Sequence, residues 1–350
     1  MPLYPAAEWA PQSAIVLVWP HSQSDWVNYL SCSQDNAIEQ LYRNLCEQIA
    51  SHQKIIIIAY DEAHKRHIRS QCRAINEGQY TIFNIRTNDT WVRDFGPQYF
   101  AQQGLDLQFN AWGNQYANAL DRAFAETFHR RLLTAKKSQQ LSKLAAALKP
   151  TPWTLEGGNL EFNGAGGLLF NIHCIIRNNP SLELSKEAIC EQLRQQFAVQ
   201  NVWPVDVPAL AGDDTGGHID TLARFIGEKH ILYAKMDQTD HTNYAALAKL
   251  ECDLNKLAAE HDLQLTAVIA PTETLHNATN EIVPASYLNF LFINNGLILP
   301  LYNVTTDAAV LTQFQKLLPE HAIIGIDATA LIEQFGSIHC ATLHLPANLF

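Results

Sequence analysis

No two cysteines in this 350-residue chain are spaced C-x-x-C, and the seven present, at positions 32, 46, 72, 174, 190, 252 and 340, make an odd number. That pattern argues against both a structural zinc cluster and a disulfide framework. Basic residues are scarce as well: 24 Lys and Arg stand against 35 Asp and Glu, a net charge of −11, and they are scattered rather than blocked. Nucleic acid and anionic membrane surfaces therefore find no counter-charge, whereas a small cation is drawn in by a negative field. Long apolar runs are also missing. A stretch such as Ile55 to Tyr60 is far shorter than the roughly 20 residues that cross a bilayer. The opening MPLYPAAEWAPQSAIVLVWP has no basic segment ahead of an apolar one, so no signal peptide is expected and the cytoplasm is the default compartment. What remains, 47% hydrophobic and 17% charged residues, is ordinary globular composition.

The apolar pattern alternates short strands with amphipathic helices. Strands are expected at Ala14–Trp19, Lys54–Tyr60 and Tyr80–Ile85, with helices from Asn36 to Ser51 and from Asp61 to Asn76. The isoleucines of the second strand mark it as buried on both faces. The same beat returns with strands at Trp153–Glu156, Gly167–Phe170 and Val202–Val205 around a helix at Ser185–Phe197. It returns again with Thr221–Phe225, Ile231–Ala234, helix Asn243–His261 and Leu265–Ile269. The last round is Tyr287–Ile293, Leu297–Leu301, helix Thr306–Leu318, Ala322–Ile326 and Cys340–His344. Each round reads strand, strand, helix, strand over about 60 residues. Residue identity does not repeat, so the unit is inferred from rhythm. No low-complexity linker divides the chain, which reads as a single domain over residues 1–350. A Lys/Gln/Ala-rich helical insertion, a surface hairpin, is expected at about 120–150.

Four chemically pointed residues follow the same period. Asp94, Glu156 and His218 stand 62 positions apart, and Cys340 lies 122 beyond His218, two steps of 61. If the units close into a ring, all four converge on its axis. Carboxylates, a proton carrier and a thiol are what holding a guanidinium and attacking its carbon requires.

Taken singly, each motif has a plainer reading. Asp94 in Trp91-Val92-Arg93-Asp94-Phe95-Gly96-Pro97 is most simply a turn residue, although the Trp91 indole beside a carboxylate suits a flat cation. Glu156 precedes two glycines, and the plain alternative is a tight hairpin with a solvated carboxylate. His218 and Asp220 follow Gly216-Gly217; at i and i+2 of a strand they would face one site together. An H-x-D metal pair lacks further ligands, so no metal is expected. Cys340 differs from the other cysteines in following a Gly336-Ser337 turn and a polar His339.

Together and in this order, WVRDFGP, LEGGN, GGHID and IHC resemble the agmatine deiminase family of the guanidine-modifying (pentein) superfamily. The amino-terminal PAAEWAPQSAIVLVWPHSQSDW and Tyr287-Leu288-Asn289-Phe290 extend the resemblance over nearly the whole chain. The resemblance implies a five-bladed α/β propeller of ββαβ units around a central site. It makes Cys340 the nucleophile and His218 the general acid/base. Asp94 and Asp220 would bind guanidinium nitrogens, Glu156 would hold the imidazole or a substrate nitrogen, and Trp91 would wall the pocket. Asp214 and Asn289 join the substrate-binding candidates. No cofactor is implied, and a second copy of the chain stays open as a partner. The chain departs from the family around the cysteine. Many members carry glycines before I-H-C and glutamines after it, whereas Phe335-Gly336-Ser337 and Ala341-Thr342-Leu343-His344 stand here.

The expected reaction is hydrolysis of agmatine to N-carbamoylputrescine and ammonia through a covalent thiouronium. An ammonium tail would prefer an acidic neighbour such as Asp89, Asp213 or Asp214. Free or peptide carboxyl-terminal arginine would instead need Arg93 or Arg224 to meet its carboxylate. An amidinotransferase using the same thiol adduct and a non-enzymatic polyamine-binding module are the remaining alternatives.

Overall fold

In the computed structural model, which describes residues 4–30, 36–100, 103–135, 144, 147–347 and 349–350, the strands form five separate sheets. Every sheet is built the same way. A first strand pairs antiparallel with a second, and the second pairs parallel with a third reached through a helical crossover. One sheet runs Ala223–Gly227, His230–Lys235 and Gln264–Ile269, with helix Tyr244–His261 before its last strand. The same sequence is seen for Leu291–Ile293, Gly296–Leu301 and Ala322–Asp327 with helix Asp307–Leu317. It recurs for Glu161–Phe162, Gly167–Asn171 and Asn201–Val205 with helix Lys186–Phe197. Gln98–Phe100, Gln103–Asp106 and Lys149–Pro150 form the shortest sheet.

The fifth sheet is assembled from both ends of the chain. Thr342–Pro346 supplies its first strand and lies antiparallel to Gln12–Val18, with Val16 opposite Leu343. Lys54–Ala59 then pairs parallel with Gln12–Val18, and Tyr80–Asn84 adds a fourth strand. Ile55 to Ile58 are buried on both faces, as the unbroken isoleucine run requires. Helix Ala37–Ala50 starts at Asn36, whose side chain accepts from the Glu39 N–H, and covers this sheet with Ile38, Leu41, Leu45 and Ile49.

Four expected strands are corrected, among them Cys340–His344, which starts only at Thr342. Trp153–Glu156 has no strand pairing, and the Tyr287–Ile293 strand begins only at Leu291. Thr221 belongs to a one-turn helix, Ile219–Leu222, before the strand that starts at Ala223. The cause is common: a helical turn or loop precedes the first strand of each sheet, and apolar content alone cannot distinguish it from strand. In the 120–150 segment, helix Phe124–Thr134 buries Phe124, Phe128 and Leu132 in the main core, stacking Phe124 on Phe128. Residues 136–143 and 145–146 of that segment lie outside the described residues.

A buried ionic hub ties these units together. Glu8 contacts Arg93 Nη1 at 3.0 Å, Arg224 Nη2 at 2.5 Å, His339 Nε2 at 2.6 Å and His344 Nδ1 at 3.3 Å. Arg224 also pairs with Glu161 at 2.8 Å, and both arginines are almost wholly buried. Burial resists the Glu8 charge, but Arg224, His339 and Arg93 outweigh it and hold its carboxyl well below the usual range. Removing one member of such a network leaves the others charged and unpaired. Glu8→Gln is expected to lower the unfolding free energy by about 3–5 kcal/mol, measured as a shifted urea midpoint.

Candidate active site

The candidate site residues sit on the turns that precede the first strands. Asp94 lies in the helical turn Val92–Phe95, and Glu156 stands directly before the 3-10 turn Gly157–Asn159. His218 caps the turn Ile219–Leu222, which carries Asp220. Cys340 lies in the turn before Thr342–Pro346. His218 and Asp220 are thus not strand neighbours sharing a face by alternation. Contacts pass from turn to turn and return to the first. The Gly158 N–H donates to Asp94 Oδ1 at 2.9 Å, and His218 reaches both Asp94 (3.5 Å) and Glu156 (3.4 Å). The Ser286 hydroxyl donates to the Thr221 carbonyl (2.6 Å), His339 N–H to the Asn289 side chain (3.0 Å), and Arg93 N–H to the Cys340 carbonyl (3.2 Å).

The two glycines of LEGGN permit this convergence. A Cβ on Gly158 would lie 2.6 Å from His218 Nδ1, 2.8 Å from Asp94 Oδ1 and 3.1 Å from Asp220 Oδ2. A Cβ on Gly157 would lie 2.0 Å from the Arg93 carbonyl oxygen. Neither takes a positive φ; both are needed for close approach. Glu156 is buried rather than solvated, and its carboxylate receives the Asn178 amide at 3.1 and 3.2 Å.

Trp91, Asp94, Asp214 and Cys340 line one small pocket together with Trp112, Thr215, Gln334, Phe335 and Gly336. Gly336 lies flat against Trp91, since a Cβ there would come within 2.3 Å of the indole. The Cys340 sulfur is 3.8 Å from Asp220 Oδ2 and receives the Asn289 amide at 3.2 Å. Asn289 also accepts from the Cys340 N–H at 3.3 Å, so its contacts fix the cysteine turn. Asp220 Oδ1 is buried with no partner, an acceptor left open beside the thiol. The pocket encloses about 20 Å³, room for about one water. A larger groove of about 740 Å³ shares Gln334 and Phe335 with it but is lined by no thiol or imidazole.

Charge in this site is set by burial and neighbours. Burial pushes the Asp94 carboxyl up to about 6, opposed by His218 and reinforced by Asp220 and Glu156. Burial disfavours a charged His218, yet Asp94, the Cys174 sulfur and Glu156 outweigh it and raise its pKa well above the ordinary value. Burial, Asp220 and Asp94 raise the Cys340 thiol well above its usual range, with His218 pulling the other way. Asp214, raised to about 6 by burial and by Asp213, accepts from the Tyr116 hydroxyl at 2.9 Å. Asp213 accepts from Thr215, and Asp89, half-buried, accepts from the Thr90 N–H; neither lines the pocket.

Three contributors escaped the sequence reading. Trp112 donates from its indole to Asp94 Oδ2 at 2.9 Å. It is held there by a left-handed turn in which Ala111, Trp112, Gly113 and Asn114 all have positive φ, between 52° and 89°. The Asn110, Gly113 and Asn114 around it were the only available signal. His339 bridges Asp220 Oδ2 (2.7 Å) and Glu8 Oε1 (2.6 Å), so each ring nitrogen meets a carboxylate. Cys174 lies against Glu156 Oε2 at 3.5 Å. A donor to a carboxylate favours its charged form, so Trp112→Phe should raise the Asp94 midpoint by about one pH unit from its starting value near 6. Carbon-detected NMR of labelled Asp94 reads this; an unmoved midpoint would mean that the indole contact carries no charge stabilisation.

The Porphyromonas-type peptidyl-arginine deiminase family model matches residues 4–346. The agmatine deiminase of Stutzerimonas stutzeri is 26% identical over 370 aligned residues, covering 98% of this chain and 95% of that protein. A cysteine-to-serine variant of the C. jejuni agmatine deiminase, solved with substrate bound, superposes with a TM-score of 0.86 at 30% identity, over 99% of this chain and 97% of its own. An amidinotransferase from Microseira wollei shares the fold at a TM-score of 0.55 and 12% identity, covering 99% of this chain and 97% of that chain.

Proposed function

The chain belongs to the Porphyromonas-type peptidyl-arginine deiminase family, and on that premise we propose that it hydrolyses agmatine to N-carbamoylputrescine and ammonia. The observation that carries this reading is the shared pocket. A thiol, two carboxylates and two indole faces meet there, with His218 bridging Asp94 and Glu156 behind it. Its small volume leaves no room for a guanidinium, so the pocket has to widen to admit substrate. We read the chain as one catalytic domain in the cytoplasm. Its five ββαβ units stand as propeller blades about an axis through the functional turns, supported by the contacts that return from the last turn to the first.

Charge dictates the mechanism. A guanidinium entering between Trp91 and Trp112 meets Asp94 and the open Asp220 Oδ1, which fix its plane over the Cys340 sulfur. The incoming positive charge offsets the two carboxylates that suppress thiol ionisation, so the thiol releases its proton to solvent only when substrate is present. The thiolate adds to the guanidinium carbon and forms a neutral tetrahedral adduct. His218, protonated beside Asp94 and Glu156, gives its proton to the departing nitrogen, and ammonia leaves a cationic thiouronium. Neutral His218 then takes a proton from water as the oxygen attacks, and the C–S bond breaks to release the ureido product.

The substrate tail is read by Asp214. Its carboxylate, oriented by Tyr116, lines the pocket and suits an ammonium. Arg93 and Arg224 are engaged with Glu8 and Glu161 and do not serve a carboxylate. Arg177 favours a second reading, deimination of an arginine carboxyl terminus, because its Nη1 donates to the Asp214 carbonyl at 3.2 Å from outside the pocket lining.

Incubation with agmatine should yield ureido product at one equivalent per ammonia released. Cys340→Ser should reduce turnover to background while calorimetry still detects agmatine binding; substantial turnover would remove the covalent mechanism. Asp94 must be anionic to hold the cation, and the guanidinium keeps its charge throughout. The acid limb of kcat/KM should therefore fall as pH drops through about 6.

A further inference from the structure

Glu156, Cys174 and His218 are all fully buried, and one ligand atom from each lies within 4.8 Å of the other two. Two of the three separations are those of neighbouring vertices in a coordination polyhedron. Tetrahedral Zn²⁺ with Zn–N and Zn–O near 2.0–2.2 Å and Zn–S near 2.3 Å places nitrogen and oxygen ligands about 3.4 Å apart, and sulfur and oxygen about 3.6 Å apart. His218 Nε2 and Glu156 Oε2 are 3.4 Å apart, and Cys174 Sγ and Glu156 Oε2 are 3.5 Å apart.

The three atoms are also held in place. Asn178 donates to Glu156 Oε2 at 3.1 Å, to the Cys174 sulfur at 3.5 Å and to the Thr215 carbonyl at 2.9 Å, which fixes two vertices and ties them to the pocket wall. Ordering of ligands by outer contacts is a regular property of metal sites. Cys174 neither touches substrate nor carries a proton in the deiminase chemistry above, and a carboxylate–imidazole pair alone does not need a thiol beside it.

We propose that Glu156, Cys174 and His218 form an inhibitory site for a borderline-soft divalent cation, Zn²⁺, which silences the enzyme by occupying the nitrogen of its proton carrier. On binding, the Cys174 S–H bond and the His218 Nε2–H bond break, both protons pass to the buffer, and a Zn–S bond forms. Zn–N and Zn–O bonds form to His218 and Glu156. With Nε2 on the metal the ring is held neutral with its one proton on Nδ1, beside Asp94, so His218 can neither act as an imidazolium acid toward a departing nitrogen nor accept from water. The inhibition rests on the deiminase reading; the binding does not.

Metal-stripped protein is titrated with Co²⁺, whose thiolate charge-transfer band reports a sulfur ligand without any turnover, and with Zn²⁺ by calorimetry. The starting protein and Cys340→Ser should each bind about one equivalent and show the band. Cys174→Ser should lose it and bind Zn²⁺ at least about a hundredfold more weakly, the upper end of what outer contacts alone cost. The Zn²⁺ inhibition constant for agmatine turnover, taken relative to each variant's own uninhibited rate, should rise in parallel. Cys174→Ala, checked for folding by circular dichroism, gives the same reading if the serine variant misfolds. A band that survives in Cys174→Ser and disappears in Cys340→Ser would overturn the proposal by placing the metal on the pocket thiol, and so would the absence of any band.

Discussion

Glu8 is the constraint on which the rest of the site depends. Its carboxylate is shared by Arg93, Arg224, His339 and His344, which come from the turn before one sheet, the first strand of another, and the turn and strand that close the chain. With Glu161 as the second carboxylate, two buried guanidiniums are paired and held out of the pocket. Beside them, His339 passes the same contact on to Asp220, whose other oxygen stays open next to Cys340. The hub is therefore structural and electrostatic at once. It fixes the turn carrying the thiol, and it leaves the pocket with carboxylates but no arginine on its lining.

The near-equal spacing of Asp94, Glu156, His218 and Cys340 was legible because each occupies the turn before the first strand of a repeated unit. Cys340 obeys the rule although it lies near the carboxyl end, since Thr342–Pro346 is the first strand of a sheet completed by Gln12–Val18 and Lys54–Ala59. Where the sequence reading failed, it failed at these turns. Period-two alternation puts His218 and Asp220 on one face of a strand, yet they stand at the cap and inside a single helical turn, and apolar residues around Tyr287 and Thr221 imitate strand. Local pattern cannot separate one turn of helix from two residues of strand.

What stayed hidden depends on contacts across long stretches of chain. Glu8 and His339 are 331 positions apart, and nothing local marks either as a partner of the other. Trp112 reaches Asp94 only through a left-handed turn that includes Ala111 and Trp112, at about 1–2 kcal/mol of backbone strain per residue. Strained turns of this kind gather at functional sites. The glycines at 157 and 158 were visible as punctuation, but the imidazole and carboxylates packed against them were not.

The central claim is that the pocket recognises a cation at both ends of its substrate, because Glu8 and Glu161 hold the two buried arginines away from it. The most direct measurement is kcat/KM for agmatine and for arginine under the same conditions. The two differ by a carboxylate, which would lie unpaired near Asp214 at a cost of several kcal/mol, so agmatine should be preferred by about a thousandfold. Equal values would mean that the pocket ignores the tail. A preference for arginine would mean that Arg177, or an arginine freed from the hub, meets the carboxylate, and would contradict the account.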